Sequence, residues 1–198
     1  MKTDQPPVTD EQLWSRFRGG DHDSLAVLYE RHVRPLFAYG RKFSSDSDTV
    51  KDCLQDLFSN LLHKPKAVSE TNSVKNYLMK ALRNRLLTEH KRRPFWTITE
   101  DYAFDFSPSI EQHLVDEQAT QETTARVQKA ITQLTNRQQE IIYLKFYHDL
   151  DNSSIGEIMS LTYQAVCNLI SRALKSIREI LSGKLTTTLL LLLNLLLS

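Results

Sequence analysis

The sequence predicts an all-α protein of two small helical domains joined by an acidic linker, with a helix-turn-helix in the second domain. Apolar residues recur at helical spacing along most of the 198-residue chain. Only 5 glycines and 6 prolines are present, which leaves little material for hairpin turns. The charges also fall into separate blocks along the chain, which predicts the division into domains.

These charge blocks are hidden by a formal net charge of only +1. Residues 1–93 hold 17 basic and 12 acidic residues, 94–125 hold 7 acidic and no basic ones, and 126–198 hold 8 basic and 5 acidic ones. The block charges are therefore +5, −7 and +3. We predict a first domain at 1–93, an acidic linker at 94–125, a second domain at 126–182 and a leucine-rich tail at 183–198.

The first block contains four helical segments. Thr9-x-x-Gln12 has the form of a capping box and begins a short helix that ends before two glycines. The next segment contains Pro35, which we expect to bend the helix or to begin a second piece. A clear amphipathic helix covers 50–62, and a polar loop at about 66–73 leads to a last helix that ends near Lys91.

The second block begins with apolar residues at helical spacing from Val127. Thr135-x-x-Gln138 is another capping box, and Asn152-Ser153-Ser154 can cap a short helix. A brief break at 160–162 precedes a long helix. A short helix, a turn of three or four residues and a longer helix with a polar outer face form the layout of a helix-turn-helix.

Three features of the sequence bear on the kind of protein. Cys53 and Cys167 lie among helically spaced apolar residues, which favours buried free thiols. The first nine residues are polar and resemble no signal sequence, so we expect a cytoplasmic protein. The leucine-rich stretch 185–197 is shorter than the roughly 20 apolar residues that span a membrane, so we expect it to pack against protein.

No catalytic or cofactor site is predicted. The glycines are scattered and form no phosphate-binding loop, and the six histidines show no metal-ligand spacing with each other or with cysteine. We therefore expect no enzymatic activity, no cofactor and no small-molecule substrate. A helical enzyme would need a cluster of titrating groups, which the sequence does not display.

Three polar helix faces are candidate binding surfaces, although each also suits an ordinary solvated face. Cations and amides share an arc of roughly 100° on the helix after residue 73, which suits contact with phosphates and bases: Asn76, Lys80, Arg83, Asn84 and Lys91. Asn72 and Ser73 in the preceding loop could contact unstacked bases. The last helix presents a second nucleic-acid candidate set: Tyr163, Gln164, Asn168, Ser171, Arg172 and Lys175. An acidic and amide patch beside an aromatic suits a protein partner: Asp52, Gln55, Asp56 and Phe58.

Five motifs together resemble bacterial sigma-70-family factors, and the two-domain length resembles their extracytoplasmic-function (ECF) group. Asp52-Cys-Leu-Gln55-Asp56-Leu-Phe58 resembles the D-x-x-Q-[DE]-x-F signature of sigma domain 2. The segment Tyr77–Asn84 resembles the one that follows it. Leu134–Ile141, Ile155–Ile158 and Ala165–Leu174 resemble the entry and the helix-turn-helix of domain 4.

The resemblance implies an alternative sigma factor that directs core RNA polymerase to promoters. The patch from Asp52 to Phe58 would then bind the polymerase clamp helices. Asn72, Ser73, Asn76, Tyr77, Lys80, Arg83, Asn84 and Lys91 would contact the melted −10 strand, and the last-helix set would read the −35 duplex. The acidic linker would enter the polymerase RNA path as a nucleic-acid mimic. An anti-sigma partner that covers both DNA faces is also implied.

Three departures from the family pattern lie in the helix-turn-helix, one of them at Cys167-Asn168-Leu169, where the family often has one or more cations. Gly156 stands where a small alanine is common, at a cost in helix propensity of about 1 kcal/mol. Ser160 stands where the turn usually has glycine. The alternative interpretation of the chain is a helix-turn-helix repressor that binds palindromic DNA without polymerase, its other helices serving dimerisation or ligand sensing.

Overall fold

The structure is a computed structural model that describes residues 8–65, 68–92, 102–106 and 118–196, the last with side chains at 125–182. The regular structure of these residues is helical and contains no strand, which confirms the predicted all-α class. The helices in chain order are α1 (Asp10–Arg18), α2 (His22–Gly40), α3 (Ser47–His63), α4 (Val74–Arg92), α5 (Gln118–Ile131), α6 (Asn136–Phe146), α7 (Asn152–Met159) and α8 (Tyr163–Leu196).

The chain forms two compact units. The first comprises Met1–Tyr102 with Glu157–Met159, and the second comprises Ala103–Gly156 with Ser160–Ser198. The boundary after Tyr102 therefore falls inside the segment predicted as a linker. Helix α5 also begins inside that segment, at Gln118. The sequence did not predict this start, because the first turns of the helix are polar and lack the apolar period of the rest.

Helix α1 begins at the predicted capping box. The Thr9 hydroxyl accepts a hydrogen bond from the Gln12 backbone N–H at 3.3 Å, and Gln12 Oε1 accepts one from the Thr9 N–H at 3.1 Å. Both bonds satisfy backbone donors that a helix start leaves unpaired. The helix then buries Leu13, Trp14 and Phe17.

Helix α2 runs from His22 to Gly40 as one element, so no second piece begins at Pro35. A proline removes one backbone hydrogen bond and disfavours the preceding turn. Leu28, Leu36 and Tyr39 on both sides of it are at most 2% exposed. Burial of these side chains against α1, α3 and α4 compensates for the lost hydrogen bond and keeps the helix continuous.

The second unit contains the other predicted capping box and a correction to a cap. Thr135 and Gln138 bond reciprocally at the start of α6. At α7 the cap is Asp151 and not the Asn152-Ser153-Ser154 run, since Asp151 Oδ1 accepts a hydrogen bond from the Ser154 N–H at 2.7 Å. A carboxylate is favoured there because the N-terminus of a helix is positive.

The turn between α7 and α8 is compact. Ser160 ends α7 in the left-handed region (φ 55°, ψ 48°), and the N–H groups of Ser160 and Leu161 both donate to the Gly156 carbonyl. Thr162 then caps α8, its hydroxyl accepting from the Ala165 N–H at 3.2 Å. The predicted helix-turn-helix layout is present in these residues.

The two cysteines are free thiols, as predicted, but only Cys53 is buried. Burial raises the pKa of the Cys53 thiol. Cys167 is half-buried, and its Sγ accepts a hydrogen bond from Asn152 Nδ2 at 3.3 Å. The backbone of α8 is helical through Leu196, whereas the tail's packing lies outside the described side chains. Among the described helices, none combines the length and apolar character that crossing a membrane requires.

Candidate functional site

The polar face of α3 is exposed. Asp52, Gln55 and Asp56 point to solvent, while Cys53, Leu54 and Leu57 are buried on the opposite side. The helical period of the apolar residues fixes this separation. Asp56 Oδ2 lies 3.7 Å from Nη1 of Arg85 on α4, and the Asp56 side chain is 72% exposed. The three polar residues therefore form an accessible acidic and amide surface.

Phe58 does not belong to that accessible surface, which corrects its placement among the contact residues. Its side chain is 8% exposed and packs edge-to-face on Tyr29 of α2, with ring centroids 5.0 Å apart. Tyr29 is 44% exposed, as is Leu62 one turn after Phe58. The sequence interpretation missed both, because a tyrosine and a leucine at helical spacing are read as core residues. Tyr29 and Leu62, and not Phe58, are therefore the exposed apolar side chains of this region.

The loop before α4 is organised by its own side chains. The Ser73 hydroxyl accepts a hydrogen bond from the Asn76 N–H at 3.2 Å, so Ser73 acts as a helix cap. Thr71 Oγ1 accepts one from the Ser73 N–H at 3.1 Å. Asn72 between them is exposed. Of the two candidate loop residues, Asn72 is thus available for contact, and Ser73 has a structural role. Residues 66 and 67 of the predicted loop lie outside the described residues.

The predicted polar arc of α4 is corrected at two positions. Asn76 is 4% exposed and Arg83 is 6% exposed. The reason is a second buried stripe along α4, since Met79 and Leu86 are also buried and the four positions 76, 79, 83 and 86 share one helix face. From the sequence we placed Leu86 inward together with Val74, Leu78 and Leu82, but we did not expect Asn76, Met79 and Arg83 to be buried beside it.

Arg83 is buried through contact with the segment that follows α4. Its Nη2 donates a hydrogen bond to the Tyr102 hydroxyl at 3.3 Å, and its guanidinium carbon lies 5.2 Å from the Tyr102 ring centroid. The accessible part of the predicted arc consists of Asn84 and Lys91, which are exposed, and of Lys80, which is half-exposed. Tyr77, which is a candidate contact outside the arc, is also half-exposed. Burial raises the pKa of the Tyr77 hydroxyl.

The candidate residues of α8 are all exposed, while Val166 and Ala173 of the same helix are buried. Gln164 Nε2 donates to Asn168 Oδ1 at 3.1 Å, which orients both amides along the outer face. Lys175 Nζ lies 3.8 Å from Glu179 Oε1. The exposed face carries the following side chains: Tyr163, Gln164, Asn168, Ser171, Arg172 and Lys175. This surface offers amide groups for base edges and cations for phosphates.

Residues 103–106 of the predicted linker lie outside any helix and alternate between exposed and buried positions. Phe104 packs against Tyr143 and donates its backbone N–H to Asn136 Oδ1 at 3.1 Å. Phe106 packs edge-to-face on Tyr147 with ring centroids 5.2 Å apart. Burial raises the pKa of Tyr143 to about 12. This part of the linker is thus attached to α6 through aromatic contacts.

Comparison with protein families covers both units of the fold. Residues 28–94 match sigma-70 region 2, and residues 124–177 match sigma-70, region 4. The first match contains most of α2 and all of α3 and α4, and the second contains the helix-turn-helix. The chain belongs to the sigma-70 family. Its function is that of a sigma factor, which directs RNA polymerase in the initiation of transcription.

A curated relative identifies the group within the family. The ECF RNA polymerase sigma factor SigL of Mycobacterium tuberculosis is 19% identical over 155 residues, which cover 78% of this chain and 86% of SigL. Together with the two region matches, this similarity makes the chain an alternative sigma factor of the ECF group.

Two solved structures share the fold of this sigma factor. CnrH, solved in complex with the cytosolic domain of CnrY, has a TM-score of 0.58 and 19% identity, over 88% of this chain and 97% of its own. The sigma factor RpoE, solved with the anti-sigma factor NepR from Bartonella quintana, also has a TM-score of 0.58 and 19% identity, over 79% of this chain and 96% of its own.

Proposed function

We propose that the two compact units bind different parts of the initiation complex. The first unit binds core polymerase and the −10 strand, and the second unit binds the −35 duplex. The observation that carries this proposal is the position of the exposed polar faces. Those of α3 and α4 lie within the region 2 match, and that of α8 lies within the region 4 match.

Core polymerase binding is assigned to the exposed α3 face. Asp52, Gln55 and Asp56 supply charge and amide groups, and Tyr29 and Leu62 supply apolar area. The buried ring of Phe58 packs against Tyr29 and helps to hold it in place. A polar surface around an aromatic anchor is the usual anatomy of a specific protein interface.

Contact with the melted −10 strand is assigned to Asn72 and to the accessible side of α4. Lys80 and Lys91 would meet phosphates, and Asn84 would hydrogen-bond an unpaired base. Extruding a base costs a few kcal/mol, which its capture by the protein would offset. Arg83 would join this surface when Tyr102 moves away from it.

Recognition of the −35 duplex is assigned to the N-terminal half of α8. A recognition helix of a helix-turn-helix enters the major groove and contacts base edges with residues near its N-terminus. Gln164 and Asn168 suit adenine, while Arg172 and Lys175 suit guanine or phosphate. With few cations on this face, its affinity should be weak alone and should depend on the other unit in the same complex.

An anti-sigma protein is proposed as a partner, and the cytoplasm as the site of action. CnrH was solved with the cytosolic domain of CnrY, and RpoE with an anti-sigma factor, which supports this proposal. The acidic linker is proposed to follow the path of the RNA product through polymerase. Most of its acidic residues lie outside the described part of the chain.

Run-off transcription with purified core polymerase tests the proposed function. Wild-type protein, added to core polymerase and a genomic promoter library, is expected to give discrete transcripts. Asp52→Lys with Asp56→Lys should weaken polymerase binding at least tenfold, roughly the effect of like-charge contacts at an interface. Asp23→Lys, an exposed reversal on α2, is the control and should bind normally.

A protein that binds DNA without polymerase would instead be a helix-turn-helix repressor. Tight binding to palindromic duplex without polymerase, together with no specific transcript, would contradict the proposal. Equal polymerase binding by the α3 double variant and the Asp23→Lys control would remove the α3 face from the interface.

A further inference from the structure

Helix α1 holds the loop that precedes α4 through two side chains. Trp14 Nε1 donates a hydrogen bond to the Ser69 carbonyl at 3.2 Å. Arg18 Nε donates one to the Val68 carbonyl at 2.9 Å. Both acceptors are loop carbonyls outside any helix, so α1 supplies partners for the loop backbone.

Arg18 also contacts Glu70, two residues after Val68. Its Nη1 lies 2.8 Å from Oε1 of Glu70. Glu70 is 88% exposed, so the ion pair alone should stabilise the fold little. A guanidinium donates in several fixed directions, which lets one arginine hold a backbone carbonyl and a carboxylate together. The two contacts of Arg18 restrict the loop at Val68 and at Glu70.

Trp14 extends this contact to the first turn of α4. The side chain is 2% exposed, and its ring centroid lies 4.9 Å from that of Tyr77, with the planes tilted by 60°. Tyr77 lies on the surface proposed for the −10 strand. Trp14 thus contacts both ends of the region that contains Asn72: the loop at Ser69 and the helix at Tyr77.

Helix α1 lies outside the residues that match sigma-70 region 2, since the match begins at residue 28. We propose that Trp14 and Arg18 are positioning residues for promoter opening, which hold residues 68–70 so that Asn72 and the start of α4 are ordered before DNA arrives. The inference rests on the proposed −10 role of this surface. Ordering a binding loop in advance raises affinity because that ordering need not occur on binding.

A purely structural role for α1 makes a different prediction. If α1 only stabilised the first unit, loss of its contacts would lower the melting temperature and polymerase binding together. Positioning predicts a selective effect on single-stranded DNA. Conservative variants separate the two. Trp14→Phe keeps a buried aromatic ring and removes the N–H donor, with a smaller ring volume whose effect on stability the melting temperature records. Arg18→Gln removes the charge and the two-way contact.

The test uses holoenzyme assembled from core polymerase and the full chain. A random single-stranded DNA pool is enriched on wild-type holoenzyme, and one enriched oligonucleotide is labelled as the probe. Arg18→Gln and Trp14→Phe should weaken probe binding roughly three- to tenfold, the range for one or two side chains that must be ordered on binding. Polymerase affinity should stay within about twofold of wild type, a margin well inside the scatter of interface mutations.

The matched control is Arg16→Gln, which removes the same charge from an exposed position of α1. Arg16→Gln should leave probe binding unchanged. Arg18→Lys should bind the probe more tightly than Arg18→Gln does, because it keeps the charge. Equal probe binding by Arg18→Gln and Arg16→Gln would overturn the inference, as would parallel losses in polymerase affinity and melting temperature. Failure of wild-type holoenzyme to enrich any oligonucleotide would reject the −10 assignment itself and the inference with it.

Discussion

Arg83 is covered by Tyr102, whose hydroxyl accepts a hydrogen bond from Arg83 Nη2 at 3.3 Å. The Tyr102 ring also stacks on Phe43 with centroids 5.6 Å apart. Both partners are buried, at 6% exposure for Arg83 and 2% for Tyr102. A cation on the helix proposed to bind the −10 strand is thus covered by a tyrosine from the segment after that helix.

Removal of this cover should increase binding of single-stranded DNA by the free sigma factor. Tyr102→Ala exposes the Arg83 guanidinium, and we expect roughly a three- to tenfold gain, about the strength of one desolvated cation–π contact. Fluorescence anisotropy with a labelled oligonucleotide at fixed salt measures it. Tyr102→Phe keeps the ring and should gain less. Adding Arg83→Gln to Tyr102→Ala should cancel the gain, and a gain that survives would exclude Arg83 as its cause.

Gly156 should not tolerate alanine, although helix propensity favours alanine by about 1 kcal/mol. A Cβ at this position would lie 2.8 Å from the Leu161 carbonyl oxygen, which is a backbone atom of the turn. We expect Gly156→Ala to lower the free energy of unfolding by about 1–3 kcal/mol, as overpacking does. Urea unfolding measures it, with the exposed Ser153→Ala as control. A more stable Gly156→Ala variant would show that the turn relaxes freely.

Ser160 should gain stability on replacement by glycine. Its φ of 55° places a side chain in the left-handed region, which costs roughly 1 kcal/mol for most residues and little for glycine. Ser160→Gly should therefore raise the free energy of unfolding by about that amount. Asp149, at φ 50°, is the comparison, because aspartate tolerates this region better and Asp149→Gly should gain less. Thermal melts of both variants measure the change in stability. A Ser160→Gly variant that is less stable than wild type would contradict the assignment of strain to Ser160.

Asp10 should make the first unit sensitive to acid. Burial acts to raise the pKa of its carboxyl, but hydrogen bonds from Arg31 at 2.7 Å and His32 at 2.6 Å hold that pKa below its ordinary value of 3.8. A group with a lowered folded-state pKa stabilises the fold above its unfolded pKa and loses that contribution as the pH falls through the folded one.

The matching variant is Asp10→Asn, which keeps the shape and removes the charge. We expect it to lower the free energy of unfolding by about 1 kcal/mol at pH 7, since it weakens two charge-assisted hydrogen bonds. The difference from wild type should shrink below pH 3.8 as Asp10 itself becomes protonated. Urea midpoints at pH 7, 5 and 3 measure it. A constant difference across this range would show that charge plays no part.

The candidate site could be predicted best where a helix has a single buried stripe. On α8 all six predicted residues are exposed, because the apolar positions around Val166 and Ala173 already define the inner face. Prediction failed on α4, which buries two stripes. Asn76 and Arg83 are polar residues on the second one, and a hydropathy pattern alone places polar residues outside.

The sequence by itself determined the all-α class, the helix caps at Thr9 and Thr135, the helix-turn-helix and the family, because these depend on neighbours within a few residues or on motif spacing. Only the tertiary structure decided which polar residues remain accessible. The covering of Arg83 by Tyr102, the burial of Phe58 under Tyr29 and the contacts of α1 with Val68–Glu70 join residues 19 to 55 positions apart. Such contacts depend on how helices pack, which no local pattern specifies.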